Sequence, residues 1–217
     1  MSVRATTLSV LLGLTLLVAP PLWWQATLPA ADVGDPDRVA AVAPEASAGA
    51  TSPDDDVRDA IPAPSAPGAE PARPTQLRID AIDVDAPLDP VGLEDDGAME
   101  LPDDVSRVGW YELGVAPGEA GSAVLAGHVD SRSQGEGALF ELRKVEPGEI
   151  VTLSGEDGTE QRWEVTARTT HDRHSLPIDE LFRWEGPPQL KIITCGGAFD
   201  AETGSYEENV VIHAIPA

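Results

Sequence analysis

The sequence predicts an all-β fold, a closed or nearly closed barrel of short strands, and three observations carry that prediction. Residues 77–88, LRIDAIDVDAPL, alternate apolar with polar side chains, the period of a half-buried sheet. Comparable short runs recur at 122–126, 149–153, 161–167, 190–194 and 209–215, punctuated by Asp96-Gly97, Pro117-Gly118, Pro147-Gly148 and Asp157-Gly158. Helical periodicity is weak, with short candidates only at 138–143 and 178–182. Many short, evenly spaced strands suit a barrel better than an α/β sheet.

The chain opens differently. Residues 8–24, LSVLLGLTLLVAPPLWW, are apolar and uncharged and follow Arg4. This is the pattern of an export segment. Trp23 and Trp24 at its outer end favour a retained anchor, because indole rings settle at the membrane–water boundary. The small residues around Ala30-Ala31 leave cleavage open. Residues 1–31 are therefore expected to be a membrane anchor or signal segment, with the remainder outside the cytoplasm on a single-pass anchor. Residues 32–74 carry no aromatic side chain, are rich in Pro and Ala, and include Asp54-Asp55-Asp56. Such a stretch cannot bury enough apolar area to offset its conformational entropy and reads as a disordered, extended linker. Residues 75–217 remain as the folded domain.

Fourteen Lys and Arg stand against 38 Asp and Glu, a formal net charge of −24. No basic stripe exists to track phosphates, which excludes nucleic-acid binding. Nothing in the pattern calls for a cofactor. The single cysteine, Cys195, cannot form an intramolecular disulfide; it is either an inert buried residue or a thiol kept for chemistry.

Two groups stand where a strand is expected to meet a loop. VLAG runs into His128-Val129-Asp130, and LKIIT runs into Cys195-Gly196-Gly197. A thiol is mostly protonated at neutral pH and needs a positive neighbour to become a nucleophile. An imidazole can also return the proton to a leaving amine. Gly196 and Gly197 would let a peptide approach closely and leave amides free to face an oxyanion. The remaining candidates have plainer readings. His171 and His174 invite a zinc site but lack a third ligand nearby and read as a solvated loop, so no metal is expected. His213 lies in an apolar strand and reads as structural. Asp130 either orients the His128 ring or faces solvent. Asp95-Asp96 and Asp103-Asp104 lack calcium-loop spacing and read as turns. Trp110, Tyr111 and Trp163 read as core.

The segments PVGLEDDGAMELPDD, GWYELGVAPGEAGSAVLAGHVDS and ITCGGAFDAETGSYEENVVIHA resemble, in order and spacing, the motifs of actinobacterial sortases, closest to the class F group. The resemblance runs from about residue 75 to the C-terminus. It implies an eight-stranded barrel with an N-terminal anchor. It also implies a cysteine transpeptidase that attacks an LPXTG-like sorting signal, forms a thioacyl enzyme and passes the acyl group to a cell-wall amine. Cys195 would be the nucleophile and His128 the acid/base. Leu176 and Pro177, in the loop before the cysteine strand, would contribute to the substrate groove.

One position departs from the family. Where class F sortases carry Tyr-Arg-Asp-Asn-Val, this chain has Tyr206-Glu207-Glu208-Asn209-Val210, so Glu207 occupies the arginine position. A carboxylate cannot donate hydrogen bonds to an oxyanion, and beside a thiolate it raises the thiol pKa. Three explanations compete. Another arginine, Arg132, Arg173 or Arg183, takes its place; or the protein is a catalytically impaired module that binds sorting signals; or Glu207 points outward and backbone amides act alone. An L,D-transpeptidase or a papain-like peptidase is a distant alternative, because the Ser-His-Gly-Cys signature and a papain-like cysteine environment are both missing.

Overall fold

The computed structural model describes residues 31–39 and 72–217. The chain forms β1 (Val33–Gly34), β2 (Pro74–Ile79), β3 (Val84–Val91), β4 (Val108–Tyr111), β5 (Ser122–Ala126), the small hairpin β6 (Asp130–Ser131) and β7 (Gly135–Glu136), and β8 (Ile150–Gly155). It continues with β9 (Glu160–Asp172), the single-turn helix α1 (Ile178–Leu181), β10 (Gln189–Asp200) and β11 (Ser205–Pro216). Strand order is β1-β9-β11-β10-β5-β4-β3-β2-β8, and β8 pairs again with β9. Setting β1 aside, that return contact closes eight strands into a barrel and removes the free edges. Pairing is antiparallel except at β3–β4 and β5–β10, which are parallel.

Alternation explains why the strands beside the site look continuously apolar. Leu125, Ile192 and Ile212 point into the barrel with Leu77, Ile79, Leu153 and Trp163. Their neighbours Val124, Ala126, Ile193 and Val211 point out and meet Leu181 and Phe182 on and just after α1. A strand buried on both faces loses the polar half of its pattern. Trp110 and Trp163 are buried as expected, whereas Tyr111 is half-buried and meets Phe182 edge to face with centroids 5.5 Å apart.

The structure departs from the sequence reading in several places. β4 and the β6–β7 hairpin were not anticipated, because strands of two to four residues are too short to show a period. At 138–143, where a helix was expected, tight turns lead into a single 3-10 turn, Leu142–Lys144. β9, β10 and β11 outrun the expected strands, so Cys195 and its two glycines lie within β10 rather than in a loop beyond it.

The first part of the expected linker also pairs with the sheet. Val33 and Gly34 face Arg168 and Ala167 on β9, just past the stretch covered by β8. The buried Arg168 guanidinium donates to the carbonyls of Val145 and Ala31, and Asp32 accepts the Thr170 amide. Gly34 has φ +86°, and a Cβ there would lie 2.1 Å from the Thr166 carbonyl oxygen. Only glycine permits this close approach. Residues 1–30 and 40–71, including the expected anchor and most of the expected linker, lie outside the described residues. No helix among the described residues is long and apolar enough to cross a membrane.

Candidate active site

The parallel pairing of β5 with β10 assembles the site. Its last rung joins Ala126 to Ile193. Past it, the Gly127 amide donates to the Ile193 carbonyl at 3.1 Å, and the Thr194 hydroxyl donates to the Gly127 carbonyl at 2.8 Å. In a parallel ladder both chains advance together. Two residues on, one strand delivers His128 and the other delivers Cys195. The two side chains line one cavity of about 590 Å³, shared with Asp130, Arg132, Arg173, Phe199, Tyr206, Glu208 and Asn209.

The hairpin holds His128 from behind. Gly137 donates its amide to the Val129 carbonyl at 2.9 Å, and a Cβ at Gly137 would stand 2.3 Å from the His128 carbonyl oxygen. The Tyr206 hydroxyl donates to Asp130 at 2.7 Å, tying the hairpin to β11. No hydrogen bond among the described residues joins Asp130 to the His128 ring; its partner is Tyr206. Desolvation holds the Tyr206 phenol well above its usual range, and the bond to Asp130 adds to the effect. Tyr206 therefore remains a donor across the working pH range.

Cys195 is the only cysteine, and it is unpaired and exposed. The cavity walls nevertheless desolvate the thiol and push its pKa up; Arg173 opposes this with its charge, and Asp130 reinforces it. The resting group is thus a thiol, and attack on a carbonyl requires that its proton leave.

A second, apolar cavity of about 490 Å³ reaches the same sulfur. Leu93, Met99, Leu101, Tyr111, Leu176, Ile178, Phe182 and Trp184 line it, and Cys195 and Asn209 belong to both cavities. Trp184 is 65 % exposed and Ile178 53 %, unusual for large apolar residues outside a binding surface. The result is a cleft with an apolar arm and a polar arm meeting at Cys195.

The other sequence candidates divide. Leu176 lines the apolar arm, whereas Pro177 stands at the N-cap of α1 and lines neither cavity. Gly196 and Gly197 line neither: Gly196 packs against Val210, and Gly197, with φ +73°, packs against the Glu208 carboxylate. Glu207 is exposed and is absent from both cavity walls. Arg132 and Arg173 line the polar arm, but Arg183 sits at the opposite end of β5, where its carbonyl accepts the Ser122 amide. Sequence reading missed Tyr111, Phe182 and Trp184 as cleft residues, because an aromatic that lines a groove and one that fills a core look alike in a string. Among the described residues no three His, Cys, Asp or Glu side chains gather as a metal site. His171 bonds the Thr169 hydroxyl at 2.9 Å.

The comparisons agree with this architecture. Two solved structures share the fold: a Clostridium perfringens sortase D5 transpeptidase and sortase C1 from Streptococcus agalactiae. The first is 16% identical with TM-score 0.50, covering 67% of this chain and 79% of that one. The second is 16% identical with TM-score 0.51, covering 66% of each chain. No curated protein matches by sequence. The sortase domain profile matches residues 77–217, all eight barrel strands but for the first residues of β2, and with it the chain belongs to the sortase family, whose members are cysteine transpeptidases.

Proposed function

We propose that this chain is a class F-like sortase that joins exported proteins to a cell-wall amine, working outside the cytoplasm from an N-terminal membrane anchor. The observation that carries the reading is the parallel β5–β10 ladder, which delivers His128 and Cys195 to one polar cavity that meets an apolar cleft at Cys195. An LPXTG-like segment lies along the apolar arm, with its leucine and proline in contact with side chains such as Leu176 and Tyr111. The Cys195 sulfur attacks the scissile carbonyl carbon and its proton passes to His128. The C–N bond breaks, the leaving amine takes the proton from His128, and a thioester remains. An acceptor amine then attacks the thioester, the C–S bond breaks, and the thiol recovers its proton.

The test is turnover of an LPXTG-type peptide with an amine acceptor. Cys195→Ala and His128→Ala are each expected to abolish product, and mass spectrometry of the wild type is expected to show the acyl group on Cys195. Near wild-type rates in either variant sink the assignment. A second reading, a module that binds sorting signals without cleaving them, rests on Glu207 at the family arginine position. Binding of the peptide with no acyl adduct on Cys195 would favour it.

A further inference from the structure

The reading as a sortase leaves this site short of a guanidinium, since the strand after the cysteine carries Glu207 where the family has arginine. Resting on that reading, we infer that Arg173, just past the end of the neighbouring strand β9, supplies the guanidinium that binds the scissile carbonyl and stabilises its oxyanion.

Register places it there. In the β9–β11 ladder His171 faces Asn209 and Asp172 faces Glu208, and one step further the Arg173 amide donates to the Glu207 carbonyl at 2.9 Å. Arg173 therefore faces Glu207 across the ladder. Asn209 faces Cys195 on the other side of β11. Because side chains alternate along a strand, positions 171, 207 and 209, and 195 belong to one face of the sheet, and Arg173, one step past β9, lines the cavity with Cys195 and Asn209. The guanidinium has moved one strand sideways and keeps to the cavity of the nucleophile.

The side chain is in place for the task. Arg173 lines the cavity that holds Cys195 and His128, while Glu207 lies outside it. Its charge is felt at the sulfur, where it favours the thiolate. Among the described residues no carboxylate forms an ion pair with it, although Asp200 is close enough to sense its charge, so its N–H donors remain for a ligand. A planar guanidinium matches a carbonyl oxygen that is gaining charge. Arg183 fails on position, at the wrong end of β5. Arg132, on the β6–β7 turn, also lines the cavity, but Arg173 is the one joined to the β11 ladder and the one whose charge lowers the thiol pKa.

The experiment uses the full-length protein with Arg173→Ala, Arg173→Lys, Arg132→Ala, Cys195→Ala and the double variant Arg173→Ala/Glu207→Arg. Two readouts are taken: turnover of an LPXTG-type peptide with an amine acceptor, and the pH profile of Cys195 alkylation by iodoacetamide, which needs no substrate. Arg173→Ala is expected to lower kcat/KM roughly 100-fold and to move the alkylation midpoint to higher pH. Arg173→Lys should keep the midpoint and lose most of the turnover, because the charge stays and the fork is gone. Arg132→Ala, also in the cavity wall, should lose less turnover than Arg173→Ala. Glu207→Arg should recover a large part of the loss from the facing position. An unshifted alkylation midpoint in Arg173→Ala overturns the proposal, as does a larger loss of turnover in Arg132→Ala. Full turnover in Cys195→Ala is a different failure, that of the functional reading itself.

Discussion

His128 and Cys195 stand at equivalent positions, each two residues past the last parallel rung between Ala126 and Ile193. Neither depends on a long loop for its placement. The Gly127 amide and the Thr194 hydroxyl extend the ladder to the site, so strand packing positions both groups.

The backing of His128 is the first target. A methyl group at Gly137 would meet the His128 carbonyl oxygen and push the ring away from the sulfur. Gly137→Ala is expected to lower kcat/KM by about tenfold or more, since a misplacement of about 1 Å can cost 100-fold. Peptide turnover measured beside a thermal melt checks this; an unchanged rate would mean the hairpin does not set the ring.

The apolar arm predicts a selective defect. Phe182→Ala removes the edge-to-face partner of Tyr111 and opens the cleft wall. Sorting-peptide kcat/KM should fall by roughly 10- to 100-fold, while iodoacetamide still alkylates Cys195 at the wild-type rate. Equal loss in both assays would indicate a disturbed thiol instead.

Thiol electrostatics give a third test. Asp130 raises the Cys195 pKa, after the larger effect of desolvation. Asp130→Asn removes that negative charge and keeps an acceptor for Tyr206, so the alkylation midpoint should move to lower pH. A midpoint that stays or rises contradicts the assigned sign.

A buried chain of polar groups makes stability depend on pH. Lys191 meets His213 at 2.8 Å, His213 meets the Thr169 hydroxyl at 2.8 Å, and all three are buried. Burial, helped by Arg183 and opposed by Asp37 and Glu180, lowers the Lys191 pKa from 10.5 to about 8. Between those values the unfolded chain holds a proton that the folded chain has released, so stability rises with pH from about 8 towards 10.5. His213, lowered from 6.5 to about 3 by burial, Lys191 and His171, makes stability fall as pH drops below 6.5. Urea unfolding of Lys191→Met should show a flatter slope between pH 8 and 10, and His213→Gln a flatter slope below pH 6.5. Slopes identical to wild type would place the titration elsewhere.

The edge strand predicts a cost far from the site. Gly34→Ala introduces both a positive-φ strain and a collision with the Thr166 carbonyl. The expected outcome is a stability loss of about 1–3 kcal/mol, or release of residues 31–39 from β9. Hydrogen exchange at the β9 amides distinguishes the two.

The sequence by itself determined the all-β class and the strand cores and singled out Cys195 and His128 as candidates, because those features are local. A period of two, a Gly-bearing turn and a strand running into His-Val-Asp or Cys-Gly-Gly can each be read within a dozen residues. Leu176 and Pro177 came from the family resemblance rather than from a local pattern, and of the two only Leu176 lines the apolar arm. The tertiary structure alone decided that Arg132 and Arg173, and not Arg183, share the cavity with the thiol, that Tyr111 and Trp184 line a cleft, and that Val33 and Gly34 join the sheet. Each of these depends on register between strands distant in sequence, such as Arg173 against Glu207 or Gly34 against Ala167. Register is set by closure of the whole barrel and by bulges such as the one between Gly196 and Phe199, and no short window of residues contains that information.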